Sequence, residues 1–142
     1  MEKRFRELQV ADVMSAGIIS CTPQTPMRAV ARLMATYRVH AVFVFEDAEL
    51  WGLVSDPDLV AAAWAGVEAR TAGEAAVAPL VQVSSADELE YAAQLMTENG
   101  VSHVAVLDPQ THLPVGVVST LDIARAVARE QPLEARLLDL PR

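Results

Sequence analysis

The hydrophobic positions of this chain follow helical spacing in two separate places. Apolar residues that recur every three or four positions predict one face of an amphipathic helix. The two apolar stripes are Met27, Val30, Ala31 and Met34 in the first half and Leu89, Ala92, Ala93 and Met96 in the second. We interpret Met27, Met34 and Met96 as core residues without a cofactor role. Asn99-Gly100 predicts the end of the second helix, because Gly tolerates a left-handed cap.

Short apolar runs before and after these helices predict strands. The runs are residues 17–20, 41–45 and 50–54 in the first half and residues 80–83, 103–107 and 115–118 in the second. The first helix is expected to carry Pro26 at its first position. A further helix opens at each Ser-x-x-Asp, so each half reads β-α-β-β-α. This order predicts an α/β fold in which helices cover sheet.

The two halves of the chain are copies of one unit. A shift of 62 residues aligns Ala31, Leu33 and Met34 with Ala93, Leu95 and Met96, and a shift of 64 aligns Gly52, Ser55 and Asp58 with Gly116, Ser119 and Asp122. The gap falls in a polar loop, where length changes are tolerated. We therefore predict a single module over residues 1–142, with repeat 1 at 8–66, repeat 2 at 67–130 and a C-terminal tail at 131–142.

A unit of about sixty residues buries its sheet poorly by itself. The two repeats are therefore expected to pack sheet to sheet around a pseudo-twofold axis, with two related clefts where they meet. We call the cleft around Asp122 the first cleft and the cleft around Asp58 the second cleft.

Composition and charge exclude several classes of protein. The chain is 52% apolar and 21% charged, as in ordinary globular domains. Its formal charge of −8 argues against nucleic-acid binding, which requires clustered basic residues. Cys21 is alone, and charged residues rather than an apolar run follow Met1. These features predict a protein of the reducing cytoplasm with no secretory signal and no membrane span.

Three sequence marks together resemble a known family. They are Val10-Ala-Asp-Val-Met14, Tyr37-Arg-Val-His-Ala-Val42 and the repeated Gly-x-x-Ser-x-x-Asp. In this order and with this duplication, residues 8–129 resemble a pair of cystathionine-β-synthase (CBS) domains, often called a Bateman module. The resemblance implies a regulatory module that binds AMP, ADP, ATP or S-adenosylmethionine and requires no cofactor.

The resemblance also implies which residues surround each ligand. The Asp of the motif would bind the ribose hydroxyls, and the Ser would lie near phosphate. The first cleft would then be formed by Asp122, Val117, Ser119, Thr120, Met14, Ile19, Val39 and His40. The second cleft would be formed by Asp58, Leu53, Ser55, Ala76, Val81, Val101, Ser102 and His103. Family members often have a basic residue that contacts phosphate at the start of the second strand of the repeat. The corresponding position is Ala41 in the first repeat and His103 in the second.

Each part of the motif has both a structural and a binding interpretation. Ser-x-x-Asp is close to a capping box, whose cap is worth about 1 kcal/mol. A carboxylate can equally accept from two ribose hydroxyls, and a helix start favours an anion. The preceding glycine would let a ligand approach the backbone closely. Both interpretations stay open, and family resemblance favours binding more for Asp122 than for Asp58.

The two clefts are not expected to bind equally well. Asp56 places an extra carboxylate beside Ser55, where a like charge would weaken phosphate binding. Asp56-Pro57 is itself a good start for a helix. Thr120 adds a hydroxyl at the position that matches Asp56. Family members often carry Pro where this chain has Phe43 and Ala105, and Phe43 could reshape the neighbouring pocket.

Metal binding and catalysis have little support in the sequence. His40, His103 and His112 lack ligand spacing, and no second Cys joins Cys21. His112 is interpreted as a loop residue. No nucleophile and base stand out as a pair, so we predict no enzyme activity.

Two functions remain after this reading. The first is a stand-alone module that binds an adenine nucleotide and modulates an effector protein or its own dimer. The second is a ligand-free scaffold that forms a homodimer through its helices. The Ala-rich residues 59–65, which include Trp64, suit a helix-helix contact. Trp64 fits the core equally well.

Overall fold

The computed structural model describes residues 4–78 and 80–129. The predicted tail at 131–142 lies outside the described residues. In the described chain, two short 3₁₀ turns accompany six α-helices and seven strands. In chain order these are α1 (Val10–Val13), β1 (Ser15–Ala16), β2 (Ser20–Cys21), α2 (Met27–Tyr37), β3 (Ala41–Glu46), β4 (Glu49–Ser55), α3 (Asp56–Ala65), α4 (Ala72–Ala75), β5 (Gln82–Ser84), α5 (Leu89–Asn99), β6 (His103–Leu107), β7 (Pro114–Ser119) and α6 (Thr120–Ala128).

The strands form two sheets, one for each repeat. The first repeat contributes the order β2-β3-β4, and the other sheet has the order β1-β7-β6-β5. In each sheet the strand before the long helix pairs in parallel with the strand after it, which in turn pairs antiparallel with the next. The predicted β-α-β-β-α order is therefore confirmed in both repeats.

The predicted boundaries differ at the first strand of each repeat. The run at residues 17–20 is mostly outside strands, which occupy Ser15–Ala16 and Ser20–Cys21 instead. The run at 80–83 is shifted to Gln82–Ser84. Pro26 is the residue before α2 and has an extended backbone, so its expected place inside the helix was wrong.

The central helices follow the predicted stripes. Met27, Val30 and Met34 are buried on α2, and Leu89, Ala92 and Met96 are buried on α5. Gly100 ends α5 with a left-handed φ of 61°, as expected. Arg38 ends α2 in the same conformation, with φ of 55°, although it carries a side chain.

Alternate residues of β3 serve two different cores, as the period of a strand requires. Val42 and Val44 are buried with the α2 helix in the first repeat. Phe43 is buried with Leu53 of β4 and Ala105 of β6. Since β6 belongs to the other sheet, this cluster joins the two sheets face to face. The sheet-to-sheet packing expected from sequence is confirmed.

Each repeat also receives a segment from the other. Leu8, which precedes repeat 1's strands, is buried among second-repeat residues, and its carbonyl accepts from the Leu89 N–H at 2.9 Å. Ala72, near the start of the second repeat, is buried among first-repeat residues, and its N–H donates to the Thr25 carbonyl at 2.8 Å. The two cores therefore form only when both repeats are present.

The glycines of the repeated motif are explained by this exchange. β1 pairs antiparallel with β7, and a Cβ added at Gly116 would collide with the carbonyl oxygen of Ser15. A Cβ at Gly52 would lie 2.9 Å from the carbonyl oxygen of Val77. The close approach at both glycines is that of the other repeat's backbone. A ligand is therefore not needed to explain either glycine.

Substitution of Gly116 tests the importance of the crossing. Gly116→Ala should lower the free energy of unfolding by about 2 kcal/mol, because overpacking forces the β1 backbone away from β7. Gly100→Ala is the control, since no atom lies within 4 Å of the added Cβ; it should cost about 1 kcal/mol through its left-handed backbone alone. Urea denaturation measures both. Wild-type stability of Gly116→Ala would contradict the packing argument.

Candidate functional site

Each Ser-x-x-Asp begins a helix as a hydrogen-bonded cap, and Ser119 Oγ also accepts from the Asp122 N–H at 3.2 Å. The Ser55 N–H and Oγ donate to Asp58 Oδ2 at 2.8 and 2.9 Å. The Ser119 N–H and Oγ donate to Asp122 Oδ2 at 2.8 and 3.0 Å. The capping interpretation is therefore correct for both copies, and it occupies one oxygen of each carboxylate.

The second oxygen of Asp122 has a weaker partner. The Ser15 hydroxyl, which comes from β1, donates to Asp122 Oδ1 across 3.4 Å. This distance is long for a hydrogen bond between two oxygens. Asp122 is only 4% exposed, so Ser15 stands between the carboxylate and the first cleft. A ligand hydroxyl that replaced Ser15 would reach Oδ1 without breaking the helix cap.

The first cleft is a cavity of about 310 Å³ formed by both repeats. Its walls are largely apolar, and its polar side chains come from a few positions. The lining residues are Ser15, Ala16, Gly17, Ile18, Ile19, Tyr37, Arg38, Val39, His40, Ala41, Phe43, His103, Val117 and Ser119.

The second cleft is much smaller, with a volume of about 120 Å³. Its lining residues are Leu53, Ser55, Pro57, Asp58, Val77, Leu80, Val81, Gly100, Val101, Ser102 and His103. Ligand pockets usually have volumes of about 300–1,000 Å³. The first cleft reaches that range and the second does not.

Most residues predicted for the first cleft do line it. These are Ile19, Val39, His40, Val117 and Ser119. The others predicted there are held elsewhere by packing. Met14 packs against the second-repeat core, and Thr120 lines a groove between α5 and α6. Asp122 lies behind the wall, with Ser15 in front of it.

The second cleft contains all but one of its predicted residues. Leu53, Ser55, Asp58, Val81, Val101, Ser102 and His103 line it. Ala76 instead packs against the first-repeat core. Ala76 follows α4, the segment of the second repeat that packs on the first-repeat core. Its side chain therefore faces that core rather than the cleft.

Asp56 does not line the second cleft. Its Oδ2 lies 2.8 Å from Nδ1 of His40, which is on the first cleft. Both side chains are well exposed, so water screens this contact. Asp56 also acts electrostatically on His103, which lines both clefts, so its carboxylate is near each of them.

His103 lines both clefts, although only the second was predicted. Its ring is 7% exposed, and Nδ1 lies 2.8 Å from the Ser102 hydroxyl. Burial lowers the pKa of His103 below its ordinary value, and nearby Asp56, Asp122 and Asp58 oppose that shift without cancelling it. The lowered pKa of His103 favours the uncharged imidazole.

Comparison with known proteins identifies the family. Two segments of the chain, residues 10–65 and 72–129, match the family model of the CBS domain. Together they span most of the sequence. The chain belongs to the CBS domain family.

Relatives of this CBS pair agree with the family and the fold. The CBS domain-containing protein YhcV of Bacillus subtilis (strain 168) is 30% identical over 117 residues, which are 81% of this chain and 82% of YhcV. The CBS domain pair of MJ0100, in complex with 5′-methylthioadenosine and S-adenosyl-L-methionine, has a TM-score of 0.77 at 19% identity over 87% of this chain and 98% of its own. CBSX2 in complex with AMP has a TM-score of 0.67 at 22% identity over 86% and 97%.

Two of the residues that sequence reasoning missed at the first cleft of this CBS pair bear on its chemistry, Ser15 and Arg38. Ser15 gave no signal, because its role arises from the crossing of β1 onto the other sheet. Arg38 could have been found from the repeat. The 62-residue shift aligns Arg38 with Gly100, so a cation occupies a left-handed helix end where the other repeat has glycine.

The remaining chemical groups are dispersed. Among residues 4–78 and 80–129, no cluster of three or more His, Cys, Asp or Glu side chains could hold a metal ion. Burial raises the pKa of the Cys21 thiol, while its hydrogen bond with Thr25 has the opposite effect. His112 lies in the loop between β6 and β7, as expected. Within the same described ranges, no helix has the length and apolar character needed to cross a membrane.

The two caps share their main hydrogen bonds, since each aspartate accepts from the N–H and the hydroxyl of its serine at similar distances. Asp58→Ala and Asp122→Ala should each lower the free energy of unfolding by about 1 kcal/mol, because each leaves a serine N–H without its partner. Urea denaturation measures the two losses. A stability loss in only one variant would show that the caps are not equivalent.

Proposed function

We propose that this CBS pair is a regulatory module that binds one adenosyl ligand per chain, in the first cleft. The observation that carries the proposal is the first cleft itself, which has the volume of a ligand pocket and brings both repeats to one cavity. Its pseudosymmetric counterpart is too small in this conformation. The bound adenosyl ligands named for MJ0100 and CBSX2 support the ligand class.

The apolar wall of the first cleft suits an adenine base. Ile19 and Val39 come from the first repeat, and Val117 comes from the second. Small-molecule sites are mostly apolar and use few polar groups to orient the ligand. A base held between these residues would contact both repeats at once.

Asp122 would bind the ribose through Oδ1. Ser15 occupies that oxygen across a long distance, so a ribose hydroxyl could replace it at small cost. Oδ2 would keep its bonds to Ser119, and the helix would remain capped. A charged acceptor makes the stronger kind of hydrogen bond, which favours the exchange.

The phosphate end of the ligand would lie toward Ser119. Ser119 is the cap of α6, a helix of nine residues, whose amino end attracts anions. Arg38 and His40 add basic groups to the same cavity. The side chains that line the second cleft include Asp58 but no Lys or Arg. Arg38 gives the first cleft a cation that the second lacks, although the Asp56 carboxylate lies 2.8 Å from His40.

Regulation would follow from the ligand's contacts with both repeats. A ligand shifts a conformational equilibrium only when it binds one arrangement better than another. A ligand in the first cleft would favour the arrangement in which the two sheets and the exchanged segments are packed as described. An effector protein, or a second copy of the chain, could then respond to that arrangement.

Calorimetric titration tests the ligand site. AMP, ADP, ATP and S-adenosylmethionine are each titrated into the pure protein, and at least one should bind at one site per chain. Asp122→Ala should weaken binding about ten- to a hundredfold, because a hydrogen bond to a charged group is lost.

Asp58→Ala is the matched control for that titration. It removes an equivalent helix cap but leaves the first cleft intact, so its affinity should equal that of the wild type. Equal affinity in all three proteins would contradict the role of Asp122 in binding. Chromatography after the titration should recover the ligand unchanged, and conversion to a product would contradict a purely regulatory role.

A second candidate function is a homodimerising scaffold, and one observation favours it. Trp64 is 91% exposed and Val60 is 66% exposed on the same side of α3, one turn apart. The alternative that Trp64 belongs to the core was wrong. A large aromatic side chain at such exposure is typical of a contact surface.

Trp64→Glu tests the scaffold. The variant should be monomeric by light scattering if α3 forms a dimer contact, because a carboxylate would be buried in that contact. Leu113→Glu is the control, since Leu113 is 62% exposed but lies in the loop between β6 and β7. An unchanged mass for Trp64→Glu would remove α3 from the interface.

A further inference from the structure

One buried nitrogen in the described part of the chain has no hydrogen-bond partner. It is Nε2 of His103, on a ring that is 7% exposed. A buried polar atom without a partner destabilises the state that contains it. The same residue lines both clefts, so its side chain is shared between them.

The position of His103 in the sheet places it beside the anion-binding end of α6. His103 of β6 is the direct register partner of Ser119 of β7. The equivalent pair in the first repeat is Ala41 and Ser55, so only one repeat carries an imidazole at this point. Ser102 holds Nδ1 and thereby orients the ring, while Nε2 is left for another group.

Several charged groups act on the His103 ring from the surrounding elements. Asp56 and Asp58 of α3 and Asp122 of α6 favour its protonation, and His40 before β3 opposes it. Burial has the largest effect and lowers the pKa of His103. An additional anion in the first cleft would favour the charged ring, since opposite charge within a few ångströms stabilises it.

We propose that His103 is a specificity residue whose protonation is linked to ligand binding. Its imidazole is neutral when the clefts are empty or hold an uncharged ligand. It takes up a proton from solvent when a phosphate monoester binds in the first cleft. The proposal rests on the proposed function, because it requires an adenosyl ligand in that cleft. It adds the basis on which phosphorylated and unphosphorylated adenosyl ligands are distinguished. The charged ring pairs with the phosphate, whereas a nucleoside leaves Nε2 unpaired.

Linkage gives the direction of the pH effect. A ligand whose binding takes up a proton binds more tightly as the pH falls, by up to about tenfold for each pH unit per proton. Adenosine has no phosphate and should bind with an affinity that hardly changes with pH near neutrality. The preference for AMP over adenosine should therefore grow as the pH falls from 8 toward 7.

Calorimetry in two buffers measures the proton directly. AMP and adenosine are titrated at pH 7 in PIPES and in Tris, whose ionisation enthalpies differ, into the wild type, His103→Gln and His40→Gln. The AMP phosphate has its own second ionisation near pH 6. That contribution is common to all three proteins, so the difference between wild type and variant isolates the histidine.

The wild type should take up about one proton more per bound AMP than His103→Gln does. His40→Gln removes the other imidazole of the first cleft; it should bind AMP more weakly but keep the proton uptake. Nitrogen-15 spectra of wild-type imidazoles provide a readout without a variant. One histidine should change from the neutral to the protonated pattern with AMP and stay neutral with adenosine.

Three results would overturn the proposal, and they are distinguishable. Equal proton uptake by wild type and His103→Gln, with AMP bound, rejects His103 while leaving the adenosyl site intact. If His40→Gln loses the proton uptake, the proton belongs to His40 and not to His103. If neither adenosine nor AMP binds, the proposed function fails and this inference fails with it.

Discussion

The crossing of backbone segments between the two repeats is the constraint on which the rest of the structure depends. At Gly116 the carbonyl of Ser15 occupies the space of a side chain, and at Gly52 the carbonyl of Val77 approaches in the same way. These contacts carry Leu8 and Ala72 into the opposite cores. The clefts exist because the repeats are tied together in this manner, so a ligand in either cleft must contact both.

The two oxygens of the Asp122 carboxylate have different partners. Oδ2 of Asp122 satisfies Ser119 at the start of α6, and Oδ1 meets only the distant hydroxyl of Ser15. Asp58 makes the same cap but lies on a cleft of about 120 Å³. The capping and ribose-binding interpretations of the motif are therefore compatible. What distinguishes the copies is the cavity beside each cap rather than the cap itself.

The two clefts differ in their basic residues at positions that the repeat makes equivalent. Arg38 replaces the helix-ending glycine of the other repeat, and His40 replaces Ser102. His103 stands where the first repeat has Ala41, and its ring lies between the two cavities. Basic groups therefore collect at the larger cleft, although the chain as a whole carries a formal charge of −8. Local placement, and not net charge, determines which cleft suits an anionic ligand.

The sequence by itself determined the repeat, the order of its elements, the helix caps and part of the lining of each cleft. Those features depend on local periodicity and on spacing within a repeat, which the chain displays directly. Only the tertiary structure decided which backbone segments contact Gly52 and Gly116. It also decided that Ser15 contacts Asp122 and that Asp56 contacts His40. The residues predicted for the clefts that do not line them are Met14, Ala76 and Thr120. These facts arise from contacts between segments far apart in sequence, and the exchange between repeats has no periodic signal. Cleft volume is likewise a property of how the sheets pack.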